Sequence, residues 1–119
     1  MLYSTIGVSA SHNRVDDNDF YGIWLYDAQD SSLAGNRTDG NGYDGLIVEA
    51  SSGNDVRRHR SDDNIADGIR VTGGSSGNLL ERNRMRGNGE HDAHDDDRPA
   101  NTWTGNRCDT DFPAGTICE

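Results

Sequence analysis

Gly22-Ile23-Trp24-Leu25, Gly45-Leu46-Ile47-Val48 and Gly68-Ile69-Arg70-Val71 are one motif written three times, 23 residues apart. A degenerate fourth copy, Asp92-Ala93-His94-Asp95, follows 24 residues on. A second block keeps the same beat, with Ser31, Asn54, Asn78 and Asn101 each two residues before Leu33, Val56, Leu80 and Trp103. A third runs Asn13-Arg14-Val15, Asn36-Arg37-Thr38, His59-Arg60-Ser61, Asn83-Arg84-Met85 and Asn106-Arg107-Cys108. Behind it stand Asn18, Asn41, Asn64 and Asn88. Three registers holding one period define a repeat architecture.

Each repeat contains three short segments with apolar residues two apart, set off by Gly, Asn, Asp and Ser, which is strand and turn chemistry. No segment carries a helix-length apolar stripe, and 15 glycines would interrupt most candidates. The expected fold is all-β: a right-handed, single-stranded parallel β-helix of about five turns, each strand pairing with its counterpart one period away. Residues 1–107 form the repeats and 108–119 a terminal cap. The inward columns are Ile23, Leu46, Ile69 and Ala93; Leu25, Val48 and Val71; Leu33, Val56, Leu80 and Trp103; and a weaker Val15, Thr38, Ser61, Met85 and Cys108. Stacked asparagines can bond their equivalents above and below or hold left-handed turns. The glycine opening each first strand marks either a positive φ or a crowded corner.

This periodicity rescues a composition that otherwise reads as disordered. Of 119 residues only 31% are hydrophobic and the net charge is −10, with mean hydropathy −0.90. No apolar run approaches a membrane span. A pI near 4.6 argues against nucleic acid as a partner. Cys108 and Cys118 lack zinc-site spacing. In an exported protein they pair, and the short loop closed by Pro113 and Gly115 suits a disulfide pinning the last turn.

The Asn-x-apolar repeats and the Gly-[Ile/Leu]-x-Val strands resemble the right-handed parallel β-helix repeat family, the pectin-lyase-like solenoids, over nearly the whole chain. The stretch from Asn101 to Cys108, followed by Pro113 to Cys118, is similar to the terminal turn of such proteins. The resemblance implies fold more than function, because the family includes lyases, hydrolases, epimerases, adhesins and metalloenzyme maturation factors. It implies an extracellular or cell-surface location and a chain that forms the C-terminal part of a longer solenoid.

Four groups of residues carry chemistry. Arg14, Arg37, Arg60, Arg84 and Arg107 form an outward stripe beside Asp16, Asp39, Asp62, Arg86 and Asp109. The stripe is either a surface ion-pair network or a track gripping the carboxylates of an anionic polysaccharide. In Glu90–Asp97, the residues His91, Asp92, His94 and Asp95 are a candidate site for a divalent cation, with oxygen ligands suiting Ca²⁺ and nitrogen a transition metal. The same segment could instead supply a general base or an acidic end-cap, and it is faintly similar to the Asp-Pro-His-Asp motif of alginate epimerases, with Ala93 in place of proline. Asp44 and Asp67, on adjacent turns, could face each other as a hydrolytic pair. Trp24 points outward, either to stack on a sugar ring or to cover a loop.

The expected function is a β-helix scaffold with a polysaccharide-binding surface. The alternatives are a lyase or epimerase with an incomplete groove, and a self-associating module that docks end to end or onto further β-helix turns.

Overall fold

The computed structural model describes residues 1–119. Thirteen short strands follow in order: β1 (Leu2–Tyr3), β2 (Ser9–Ser11), β3 (Ile23–Tyr26), β4 (Ser32–Ala34), β5 (Leu46–Glu49), β6 (Asp55–Arg57) and β7 (Arg60–Asp62). The rest are β8 (Ile69–Thr72), β9 (Leu79–Glu81), β10 (Arg84–Arg86), β11 (Ala93–Asp95), β12 (Thr102–Thr104) and β13 (Asp111–Phe112). Every pairing is parallel. The first sheet runs β1-β3-β5-β8-β11-β13 and the second β2-β4-β6-β9-β12. A third face pairs β7 with β10 and continues through single bridges from Arg14 to Arg107. The chain is thus an all-β parallel solenoid, and no helix in it is long and apolar enough to cross a membrane.

The register is the sequence period made physical: Ile23 pairs with Leu46, Leu46 with Ile69, and Ile69 with Ala93. Four full turns of 23 or 24 residues carry the first sheet from Leu2 to Asp95. The last return is shortened, Ala93 pairing with Asp111 after 18 residues. The count is therefore one full turn below the five expected, because the final coil closes early. Cys108 and Cys118 form a disulfide there, Cα to Cα 5.0 Å. The Asp111 carboxylate accepts the N–H groups of Gly115, Ile117 and Cys118, folding the tail over the coil.

The interior is narrow and half polar. Leu25, Leu33, Leu46, Val48, Val56, Ile69, Val71, Leu80 and Met85 are fully buried in one core. Around them three ladders run along the axis. In the column Asn18, Asn41, Asn64 and Asn88, each backbone N–H and each side-chain amide donates to the Oδ1 one turn later, at 2.9–3.1 Å. The second amide hydrogen reaches a main-chain carbonyl of the preceding turn, such as Asn64 Nδ2 to the oxygen of Thr38 at 2.9 Å. The buried amides of this column are therefore paired, where an orphan would cost roughly 1–3 kcal/mol. This is how a chain so poor in hydrophobic residues keeps a defined core.

The left-handed corners fall on residues other than the ladder asparagines. One column reads Asp17, Gly40, Asp63 and Gly87, with φ of 56°, 66°, 56° and 67°. A Cβ on Gly40 would strike the carboxylate of Asp17, and one on Gly87 that of Asp63. The glycine opening each first strand is a matter of crowding, not of φ: a Cβ on Gly45 would meet Ser61, Asn64 and the Gly68 carbonyl.

Candidate metal centre

Residues on and just before the strands of the first sheet line up in columns, and two of these columns build the site. Asp44, Asp67 and His91, each one turn apart, precede β5, β8 and β11. Trp24, Ile47, Arg70, His94 and Phe112 lie on the strands themselves. The Asp44 Oδ1 accepts the Asp67 N–H at 2.7 Å, and the Asp67 Oδ1 accepts the His91 N–H at 2.9 Å. This repeated backbone-to-carboxylate bond fixes the Asp67 side chain, which has no exposed surface.

Both imidazoles converge on that carboxylate. His91 Nδ1 lies 3.3 Å from Asp67 Oδ1 and His94 Nδ1 2.9 Å from Asp67 Oδ2. His94 Nε2 is 2.8 Å from Asp96 Oδ1. One ligand atom from each of Asp67, His91 and His94 lies within 4.8 Å of the others. The rings meet edge to face at 5.0 Å, and Phe112 packs 4.9 Å from His94 and 5.7 Å from His91, so an aromatic ring flanks the cluster on its C-terminal side.

The electrostatics favour a cation. Three carboxylates, Asp44, Asp67 and Asp96, surround one guanidinium, Arg70, which bonds Asp96 at 3.2 Å. Burial pushes Asp44 up to about 6, against the hydrogen bond from the Asp67 backbone. At Asp96 burial also acts upward, but hydrogen bonds from Thr72, His94 and Arg70 outweigh it and hold the carboxyl below its ordinary value.

Two residues expected in this site are elsewhere. Asp92 and Asp95 are 2% and 1% exposed and turn inward, away from the imidazoles. Asp92 ends the asparagine ladder, and Asp95 accepts the Trp103 indole N–H at 2.8 Å and the Asp97 N–H. The missing donor, Asp67, comes from the turn before. Its signal was the column Asp44, Asp67, His91, legible only across the period. Asp44 and Asp67, named above as a candidate hydrolytic pair, stack in that column, with the Asp44 carboxylate accepting the Asp67 N–H.

The arginine stripe is interleaved with carboxylates. Asp16 binds Arg14 at 2.5 Å and Arg37 at 3.2 Å; Asp39 binds Arg37 at 2.6 Å and Arg60 at 3.1 Å; Asp62 binds Arg60 at 2.9 Å and Arg84 at 3.2 Å. Only beyond Arg84, where Arg86 replaces the aspartate, does the stripe change: Arg86 and Arg107 are exposed and make no ion pair. Trp24 is half-buried on the outer face, its indole N–H donating to Glu49 at 2.9 Å.

The family model described as periplasmic copper-binding protein (NosD) covers residues 1–117. No curated protein and no solved structure matches the chain.

Proposed function

Since the chain belongs to the periplasmic copper-binding protein (NosD) family, we propose that it is an exported, periplasmic β-helix domain that binds copper through Asp67, His91 and His94. The observation that supports this reading is the convergence of the three donor atoms within 4.8 Å. Two imidazoles with a carboxylate form a nitrogen and oxygen donor set, which suits Cu(II); Ca²⁺ takes oxygen ligands alone and Cu(I) prefers sulfur. The sulfur in this chain is elsewhere: both cysteines are in the disulfide, Met85 is sealed in the core and Met1 stands beside Trp24 at the other end of the solenoid. When bound, copper would supply a redox-active or transferable ion. The residues around it orient the ligands, with Asp96 holding His94 and Phe112 packing against both imidazoles.

Titration of the purified chain with Cu(II), followed by electron paramagnetic resonance, tests the assignment. A single tight site with nitrogen hyperfine structure is expected, lost in the His91→Ala, His94→Ala double variant. An unchanged spectrum and stoichiometry in that variant would sink it.

A second reading, binding of an anionic polysaccharide along the arginines, draws support only from the last rungs, where Arg86 and Arg107 lack carboxylate partners. Along the rest of the stripe Asp16, Asp39 and Asp62 already occupy the guanidinium groups.

A further inference from the structure

The outer face of the first sheet carries a second cluster at its N-terminal end. Tyr3, Phe20, Tyr21, Trp24, Tyr26 and Tyr43 form a continuous aromatic patch, with Tyr3 stacked on Tyr26 at 5.3 Å and Phe20 on Tyr43 at 5.7 Å. The molecule has two surface hollows, and both open here, sharing Trp24 and Met1. They differ in charge. The hollow beside Phe20 and Tyr21 is walled by apolar and aromatic groups, whereas the other, about 420 Å³, is bounded by Met1, Tyr3, Trp24, Tyr26 and Glu49.

We propose that this second hollow binds a quaternary ammonium group. The Trp24 and Tyr26 rings stand perpendicular, 88° apart with centroids at 6.0 Å, and both border the hollow, so a cation seated in it lies beside two π systems that attract it. The Glu49 carboxylate closes the cage. Its Oε2 accepts the Trp24 indole N–H at 2.9 Å, which fixes the ring, and no arginine neutralises the charge. A net charge of −10 adds a long-range attraction for cations.

The same geometry selects among ligands. A primary ammonium carries three N–H donors and needs as many acceptors, but the cage is mostly ring surface with one carboxylate. A quaternary ammonium has no donor to satisfy and presents only methyl groups to the rings. A sugar would leave most of its hydroxyls unpaired, and an anion would meet Glu49. The site is separate from the metal centre: Trp24 and His94 lie three coils apart in one column, roughly 14 Å at about 4.8 Å per coil.

Tetramethylammonium chloride, titrated against the intact chain with sodium chloride as the ionic-strength control, tests the proposal through tryptophan fluorescence. Trp103 is 8% exposed and supplies a constant background, so a saturable change reports Trp24. Glu49→Gln keeps an acceptor for the indole and removes the charge, and should weaken binding about tenfold; Trp24→Leu, which removes the reporter and is therefore read by isothermal titration calorimetry, should abolish it, with circular dichroism unchanged in both. No saturable response to tetramethylammonium, or equal affinity in Glu49→Gln, overturns the proposal. Sedimentation with phosphatidylcholine vesicles separates the sources: pelleting that Trp24→Leu abolishes assigns the group to a lipid headgroup, and binding of the free ion alone assigns it to a small solute.

Discussion

Asp92 takes the place of the next asparagine above Asn88: its Oδ1 accepts both the backbone N–H of Asn88, at 3.2 Å, and its side-chain amide, at 2.8 Å. Its other oxygen accepts the N–H groups of Asp109 and Thr110 at 3.0 and 3.2 Å. Only a carboxylate offers acceptors on both sides. Asp92→Asn would turn an NH₂ group against existing donors, and urea unfolding should show a loss of about 1–3 kcal/mol. Cu(II) stoichiometry should not change, since this carboxylate lies inside the coil.

His59 interrupts the column Asn13, Asn36, Asn83 and Asn106. Its own N–H donates to Asn83 at 2.8 Å, but its buried Nδ1 has no partner. His59→Asn restores the missing Oδ1 above Asn36 and should stabilise the fold by about 1 kcal/mol. Burial also holds the imidazole down at about 4. The unfolded chain therefore takes up the proton first, and stability falls as pH drops from about 6.5 towards 4, by roughly 3 kcal/mol in total. Thermal unfolding across this range should show that loss abolished in the variant.

Asp44 titrates with the opposite sign. Its folded pKa, about 6, lies above the 3.8 of an ordinary aspartate, so its contribution is present in acid and lost as pH rises through 6. Asp44→Asn keeps the acceptor for the Asp67 N–H. The variant should be more stable than the parent at pH 8 and indistinguishable from it at pH 4, as read by calorimetry. In the His59→Asn background the Asp44 effect stands alone, and stability should rise on acidification from pH 7 to 5.

The arginine stripe makes a testable contrast between its two ends. In alginate or pectate gels at low salt, any retardation of the chain should disappear in Arg86→Gln, Arg107→Gln and persist in Arg37→Gln. The reverse result would place binding on the ion-paired rungs. Arg60→Gln deprives Asp39 and Asp62 of a half-exposed partner and should cost under about 1 kcal/mol.

The fold was legible because the repeat spells out its own pairing: once Gly22, Gly45 and Gly68 are aligned, the partners of Ile23, Leu46 and Ile69 follow. The site was half legible. His91 and His94 are close in sequence and on one face, but their carboxylate arrives from the turn before, and local spacing points to Asp92 and Asp95 instead. Asp95 shares the inward column of Leu25, Val48 and Val71, which already marks it as interior. Asp92 could not be placed in this way, since its role depends on the shortened last coil, where the period fails. Of the aromatic cage, Tyr26 shares β3 with Trp24, but Tyr3 and Glu49 arrive from the turns on either side, so local spacing does not show it.

The corner column Asp17, Gly40, Asp63 and Gly87 bears on how the coils find their order. Near-identical coils invite slipped threading, in which one coil loops out and its neighbours close over the gap with hydrophobic columns intact. Here large and absent side chains alternate, so the carboxylate of Asp17 lies where Gly40 leaves room, and that of Asp63 where Gly87 does. Looping out the coil of Gly40 would bring Asp63 onto Asp17, carbon against carboxylate and charge against charge. The alternation is a parity check written into the chain: it penalises the omission of a single coil, an error the strands themselves would accept.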